Sequence, residues 1–282
     1  HKDEIALAVK RVRDDGRIDV AMCGALYPWK LGEGPVDILA RSGIVKGVLS
    51  VGSLHTSPKN PVRCFIADKP LTIDDVFVTT TLSKAELIER GVYPGVKIVV
   101  AREHKKPVVM NRAVSGYHLD NKLAVVIMQL AMESLRGSER KLAQDVYFVA
   151  TCSEEVGAQG AAFASDQLPG MKNIALEIGP VADEYDVKLN EKPVIWYGPC
   201  IYSRKQNDAM LDLAEELGFG AQPAYFWGAG SDASKTMQLG QCSMAVCLAF
   251  ACDNTHGYEV ADLQGAANTA TLLTESIARG IL

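Results

Sequence analysis

Apolar and polar positions alternate over short stretches in the first part of the chain. Between residues 13 and 112 this pattern predicts strands, and only residues 83–90 are typical of a helix. Turn residues separate the predicted strands, which span residues 19–23, 43–51, 76–81 and 96–101. Short strands bounded by turns are typical of a small barrel or sandwich, so we expect a β-rich module here.

From residue 115 onward, helical segments alternate with apolar strands. The predicted helices and strands, in chain order, span residues 121–135, 146–151, 174–178, 208–217, 243–250 and 261–277. This alternation predicts a mostly parallel sheet with helices on both faces. We expect the apolar strand 5–9 to join this sheet. The predicted organisation is therefore an α/β domain of residues 1–12 and 113–282, with a β-rich domain of residues 13–112 inserted into it.

Composition excludes several classes of partner. The 282 residues are 48% hydrophobic, which is typical of a folded globular protein, and a net charge of −5 without a basic block excludes nucleic acid. The longest apolar stretches, 123–132 and 245–252, are about half of the ~20 residues that cross a bilayer, so we expect no membrane partner. The seven cysteines are an odd number without a C-x-x-C motif, which favours reduced thiols and a cytoplasmic location.

Acidic and imidazole side chains lie at the start of the chain and at the ends of predicted elements of the α/β part, where an open sheet gathers its functional groups. They are His1, Asp3, Asp120, Glu154, Glu155, Glu177 and His256. Each type also has a structural interpretation: an Asp before a helix can be an N-cap, paired Glu residues a solvated turn, and a lone His a surface or core residue. Glu177 is different, because a carboxylate inside an apolar strand must be paired or bound to a metal.

As a set, these residues suit a centre of two divalent ions. Such a centre needs a carboxylate that bridges the ions, a His and a carboxylate to complete each, and a free carboxylate that accepts a proton from water. Oxygen and nitrogen donors without thiolates favour Zn, Co or Mn over an iron–sulfur or copper site. The residue types therefore predict a hydrolytic metal centre.

Five segments carry family signatures in the same order along nearly the whole chain. They are His-Lys-Asp-Glu-Ile at 1–5, Ser-Lys-Ala-Glu-Leu-Ile-Glu-Arg-Gly-Val-Tyr-Pro-Gly-Val at 83–96, Gly-Tyr-His-Leu-Asp-Asn-Lys at 116–122, Thr-Cys-Ser-Glu-Glu-Val-Gly-Ala-Gln-Gly-Ala at 151–161 and Gly-Ser-Asp-Ala at 230–233. These segments resemble the motifs of metallopeptidase family 42, which includes the tetrahedral aminopeptidases and proteins once labelled cellulase M. The Glu-Glu-Val-Gly segment is specific to it.

The resemblance implies a fold and an activity. The fold is an α/β/α sandwich like that of zinc peptidases, with an inserted small β-barrel-like domain that serves in dimerisation or as a lid. The activity is a cytoplasmic metal-dependent aminopeptidase that acts on short peptides with two divalent ions, Zn or Co, and forms a homo-oligomer between a dimer and a dodecamer. An N-acyl amino acid deacylase and a non-catalytic assembly subunit are the alternatives. A glycosidase is not supported, because its isolated carboxylate pair comes without histidines.

The resemblance also implies roles for individual residues. Asp120 would bridge both metals, with Glu154 as the general base and Asp3 orienting the His1 imidazole. His1 and Glu177 would complete one metal, Glu155 and His256 the other. Asp232 and His55 are implied at the substrate. His118 is expected to be a packed histidine or to support Asp120, and His104 to be solvated.

The chain departs from the usual family pattern in two ways, and one unusual peptide bond is also expected. Position 177 is Glu where the family usually has Asp, so the longer side chain is expected to shift the first metal or to change its coordination. The chain starts with His1 rather than Met, and the family has several tens of residues before this segment, so we expect a longer protein. The resemblance also implies a cis peptide bond between Asp120 and Asn121.

Overall fold

The computed structural model describes residues 1–53, 70–138, 140–170 and 172–282. These residues form two compact units. One unit contains His1–Glu4 and Pro107–Leu282, and the other contains Ile5–Lys106. The second unit is therefore inserted into the chain of the first.

The inserted unit is a closed antiparallel β-barrel. Its described strands are β1 (Ala6–Val12), β2 (Ile18–Cys23), β3 (Gly34–Ala40), β4 (Gly43–Ser50), β5 (Phe77–Thr79) and β6 (Lys97–Val100), and its helices are α1 (Pro28–Leu31) and α2 (Lys84–Glu89). The strands pair in the order β1-β2-β5-β4-β3-β6, and β6 returns to β1. Ile18, Ile38 and Val78 are fully buried and belong to the barrel core, which confirms the predicted β-barrel-like insertion.

One strand lies in a different sheet from the one predicted. The apolar run 5–9 falls in β1, which pairs with β2 and β6 in the barrel, so the prediction that it joins the α/β sheet is wrong. Residues 6–9 are all buried, and a continuous apolar run has no alternation that would indicate which sheet it completes. The chain therefore enters the barrel directly after Glu4.

The larger unit is built on a sheet of seven described strands. They are β7 (Val108–Met110), β8 (Ala113–Tyr117), β9 (Lys172–Pro180), β10 (Val194–Gly198), β11 (Gln222–Tyr225), β12 (Met244–Asp253) and β13 (Tyr258–Asp262). Their order is β11-β10-β12-β13-β8-β7, with β9 along β12. The helices are α3 (Leu119–Gly137), α4 (Gln159–Gln167), α5 (Arg204–Glu216), α6 (Asp232–Gln238) and α7 (Leu263–Ala278).

Strand β12 lies between two apolar layers, one on each face of the sheet. Val246 and Leu248 pack with side chains of α3, α5 and α7 on one face. Ala245 and Cys247 face the opposite layer, which includes Ala233 of α6, and α4 packs against α6. Because successive side chains of a strand point to opposite faces, this apolar run is buried on both sides. The unit is an α/β/α sandwich, as the resemblance implied.

The predicted strand directions are wrong for much of this sheet. Among the described strands, β9 and β12 run parallel, as do β10 and β11, whereas the pairings β10–β12, β12–β13, β13–β8 and β8–β7 are antiparallel. Only residues 254–257 separate β12 from β13, and so short a connection permits only antiparallel pairing. The sheet is therefore mixed rather than mostly parallel.

The predicted strand 146–151 also differs. In the described part of the chain these residues join no sheet, and Tyr147 and Val149 are exposed. Their continuous apolar run is typical of a buried strand, but a strand needs a partner edge that sequence alone does not identify. The segment is nevertheless anchored beside the start of the chain, because the Lys2 N–H donates to the Thr151 carbonyl at 3.0 Å.

The helices of the sandwich are of ordinary globular length. The longest described helix, α3, has 19 residues, and its outer face carries polar side chains such as Gln129 and Glu133. No described helix combines the length and the apolar character needed to cross a bilayer.

Candidate metal centre

Asp120 lies at the beginning of α3, directly after β8, and is buried. The predicted cis peptide bond between Asp120 and Asn121 is present. Two hydrogen bonds hold this turn: the Asp120 N–H donates to Glu259 Oε2 at 2.9 Å, and Asn121 Nδ2 donates to the Leu176 carbonyl at 2.7 Å. Leu176 precedes Glu177 in β9, so the turn is tied to the strand that carries a second acidic residue.

A first group of possible ligands surrounds one oxygen of Asp120. His1 Nε2 lies 3.2 Å from Asp120 Oδ1 and 3.9 Å from Glu177 Oε1. The three side chains are buried, and their ligand atoms lie within 4.8 Å of one another. His1, Asp120 and Glu177 can therefore hold a metal ion.

A second group surrounds the other oxygen of Asp120. His256 Nε2 lies 3.4 Å from Asp120 Oδ2 and 3.8 Å from Glu155 Oε2, and these ligand atoms again lie within 4.8 Å of one another. His256 lies in the turn between β12 and β13. The two oxygens of Asp120 thus face two different imidazoles, which is the arrangement expected of a bridging carboxylate.

Glu154 belongs to neither group but lies beside the first one. Its Oε2 is 3.5 Å from His1 Nε2. Asp3 contacts both His1 and the Glu-Glu turn. Its Oδ1 lies 3.2 Å from His1 Nδ1, and its carboxylate accepts hydrogen bonds from the backbone N–H groups of Glu154 and Glu155, each at 3.3 Å. One carboxylate therefore fixes both an imidazole and the turn that carries the Glu-Glu pair.

The electrostatics of the site reflect crowded acids in a buried space. Burial raises the pKa of Glu177 well above its usual range, and the charges of Asp120 and Glu154 add to this effect. Burial, together with the Asp120 charge, raises the pKa of Glu155 to about 8. Burial alone would lower the pKa of His1, but the adjacent Asp120 carboxylate and the other surrounding acids raise it to about 10. The acids of the site therefore repel one another when they are ionised, and bound cations would stabilise their charged forms.

The donor atoms fit divalent ions. Within the described residues, His1 Nε2, Asp120 Oδ1 and Glu155 Oε1 are buried and form no well-aligned hydrogen bond. Buried polar atoms are normally hydrogen-bonded, so atoms such as these need another partner. Imidazole nitrogens with carboxylate oxygens and no thiolate are ligands for Zn and for similar divalent ions. The residues present suit the metal centre that the sequence predicted.

The remaining residues that the sequence singled out lie outside the two ligand groups or outside the described residues. Asp232, at the start of α6, accepts the Thr151 hydroxyl on Oδ2, while Oδ1 forms no hydrogen bond within the described structure. His118 is buried, with Nε2 3.4 Å from Glu4 Oε2, and it belongs to neither ligand group. His104 is exposed, as predicted. His55 lies outside the described residues.

Sequence reasoning missed one buried acid of the site. Glu259 lies in β13, is only 1% exposed and accepts backbone N–H groups from Asp120 and His256. The signal was available, because the segment Tyr-Glu-Val-Ala at 258–261 places a carboxylate in an apolar strand, as at Glu177. The rule that a buried carboxylate needs a partner applies equally to both.

Known proteins match both the chain and its fold. The TET1 peptidase of Pyrococcus horikoshii is 26% identical, with a TM-score of 0.83 over 98% of this chain and 81% of its own. An aminopeptidase of the archaeon Desulfurococcus kamchatkensis is 24% identical, with a TM-score of 0.85 over 100% of this chain and 79% of its own. A TET aminopeptidase from a marine sediment archaeon, Thaumarchaeota, is 20% identical, with a TM-score of 0.86 over 100% and 82%.

The sequence itself matches a family model. The family described as M42 glutamyl aminopeptidase matches residues 1–272, a range that includes every residue of the two ligand groups. The family resemblance inferred from the motifs is thereby confirmed. The chain belongs to the M42 glutamyl aminopeptidase family of metal-dependent peptidases.

Proposed function

We propose that the protein is an aminopeptidase that removes amino-terminal residues from short peptides with a dinuclear centre of Zn or Co. The observation that carries this proposal is the position of Asp120. Each of its oxygens faces a separate group of one imidazole and one carboxylate, and Glu154 remains outside both groups. This is the inventory that two-metal hydrolysis needs.

In this proposal each group holds one ion. His1 and Glu177 would complete the first, Glu155 and His256 the second, and Asp120 would belong to both. When bound, the ions polarise the scissile carbonyl and make a water molecule more acidic. The protein's own part is to keep the ligand atoms close together in a buried site, with Asp3 fixing the orientation of His1.

Glu154 is the proposed general base. Its carboxylate accepts the proton of the attacking water and then delivers that proton to the amine of the leaving peptide. Burial raises the pKa of Glu154 to about 7 against the opposing effect of His1, which suits a group that must both accept and release a proton near neutral pH.

Asp232 is the proposed contact for the substrate. The Thr151 hydroxyl occupies Oδ2, whereas Oδ1 is buried and forms no hydrogen bond within the described structure, so it needs a donor. A carboxylate suits the positively charged α-amine of a peptide, and this preference would separate an aminopeptidase from a deacylase. His55 stays a prediction for a second substrate contact.

Self-association and location are parts of the same proposal. The TET1 peptidase of Pyrococcus horikoshii can assemble into a tetrahedron or a large octahedral shell. In this chain, Val108, Val109 and Met110 of the edge strand β7 are all exposed, which favours a homo-oligomer, and the inserted barrel is proposed to act in dimerisation or as a lid. Light scattering of the purified protein measures the assembly size.

The six described cysteines are unpaired, which supports a cytoplasmic location.

Metal removal and a choice of substrates test the activity. A chelator should abolish hydrolysis of aminoacyl-p-nitroanilides, and Zn or Co should restore it, because the ions supply carbonyl polarisation. N-acetyl amino acids, which lack a free α-amine, should be poor substrates. Preferential hydrolysis of the N-acetyl compounds would favour the deacylase, and fewer than about one ion per chain would favour a non-catalytic subunit.

Replacement of Glu177 by Asp tests the departure at this position. We expect Glu177→Asp to retain or raise activity, because it keeps the carboxylate opposite His1 and restores the residue usual in the family. The change should be measured as kcat and as metal content on the same preparation. Loss of the first ion would show that the site is built around the longer side chain.

A further inference from the structure

The carboxylate of Glu259 joins two parts of the backbone that are distant in sequence. Its Oε2 accepts the Asp120 N–H at 2.9 Å, and its Oε1 accepts the His256 N–H at 2.9 Å. Asp120 begins α3, whereas His256 lies in the turn before β13. The two oxygens of one buried carboxylate thus accept hydrogen bonds from the backbones of two proposed metal ligands.

Both contacted backbones carry side chains of the second ligand group. Asp120 Oδ2 and His256 Nε2 lie 3.4 Å apart, and each side chain extends from a residue whose backbone N–H Glu259 holds. His256 adopts a φ of 60°, in the left-handed region that residues with a Cβ rarely occupy. Such a conformation persists when surrounding contacts enforce it, and the hydrogen bond to Glu259 is one of them.

Within the described structure, backbone N–H groups rather than a cation hold the Glu259 carboxylate. Among the described residues, no Lys or Arg side chain pairs with it, and the two N–H groups are its hydrogen-bond donors. Burial of a carboxylate without a cationic partner costs free energy. A carboxylate nevertheless has two equivalent acceptor oxygens, whereas an amide has only one. The two-acceptor geometry is therefore the property that this position supplies.

We propose that Glu259 is a positioning residue that sets the distance between Asp120 and His256 and so determines the affinity of the second metal ion. The inference rests on the proposed dinuclear function. Glu259 touches neither substrate nor metal and acts only through the two backbones. The first ion is less affected, because Glu259 holds the backbone of only one of its proposed ligands, Asp120, but the backbones of two ligands of the second ion, Asp120 and His256.

Cobalt binding to metal-free protein tests this role without measuring activity. Glu259→Gln keeps the side-chain volume but offers one acceptor oxygen, and its amide NH2 group faces the second N–H donor. Equilibrium dialysis and the visible absorption of Co(II) should show that the second ion binds about 10- to 100-fold more weakly, with less than about a threefold change for the first. The Co(II) spectrum of the second site should also change.

Ser115→Ala is the matched control. The Ser115 hydroxyl donates to the Glu259 backbone carbonyl at 2.8 Å and is also buried, so this variant removes a hydrogen bond of the same residue without touching its carboxylate. We expect both Co(II) affinities to remain at the wild-type value. Glu259→Ala, which removes both acceptors, should weaken the second ion at least as much as Glu259→Gln, and the Gln variant decides if the Ala variant fails to fold.

The outcomes separate this inference from the proposed function. Two ions in wild type and unchanged binding in Glu259→Gln would overturn the inference alone. Equal weakening of both ions, or the same effect from Ser115→Ala, would show a general structural role and also overturn it. If wild type binds fewer than about two Co(II) ions, the dinuclear function fails, and the inference fails with it.

Discussion

Replacement of Glu154 by Gln should lower kcat by ~10²-fold or more while both metal ions stay bound. Gln has the shape of Glu but cannot accept a proton from water, so the variant removes proton transfer and little else. The structure supports this separation, because Glu154 lies outside both ligand groups although its Oε2 is 3.5 Å from His1 Nε2. The fold should be unaffected, since the backbone N–H of Glu154 keeps its contact with Asp3.

The measurement needs kinetics and metal analysis on one preparation. KM should change little, because the missing interaction acts in the transition state. Glu184→Gln is a suitable control, since Glu184 is exposed and its replacement makes the same chemical change away from the site. If Glu154→Gln loses an ion, Glu154 is a ligand, and the roles proposed for Glu154 and Glu155 must be exchanged.

The candidate site could be predicted because Glu177 has a strong local signal and the motifs resemble those of a known family. Glu177 stands in an apolar strand, and burial of its carboxylate in β9 agrees with the argument that it needs a partner. The order of motifs identified the family, and the family model confirms it over residues 1–272. The structure brings His1, Asp120 and Glu177 together from three separate segments, although the chain between His1 and Asp120 first forms the whole barrel.

Pairing between strands could not be predicted, because it depends on partners that local pattern does not identify. The apolar run 6–9 suits either sheet equally, and it completes the barrel. The position of Glu259 is also a tertiary property. Its strand pairs with β8, and this register brings residue 259 opposite Gly116, close to the beginning of α3. The sequence indicates that the Glu259 carboxylate needs a partner, but it does not indicate that the partners are the backbone N–H groups of Asp120 and His256.

The largest loss is expected for Asp120→Asn, which should reduce metal content to about one ion per chain or fewer and lower kcat/KM by ~10³-fold or more. Asn presents one oxygen and one NH2 group, so it cannot ligate on both sides. The change also removes the negative charge that faces His1 and His256, which lie 3.2 and 3.4 Å from the two carboxylate oxygens. Metal ions supply several kcal/mol of transition-state stabilisation, and ~1.4 kcal/mol corresponds to a tenfold change in rate.

The same variant distinguishes a bridging role from a structural one. Asp120→Asn leaves in place the backbone N–H that donates to Glu259, so near-UV circular dichroism of the metal-free variant should match that of metal-free wild type. Asp186→Asn is the control, because Asp186 is exposed and its φ of 53° suits Asn, so metal content and kcat/KM should not change. If Asp120→Asn retains two tightly bound ions, Asp120 is not the bridge, and each group would have to bind its ion without the shared carboxylate.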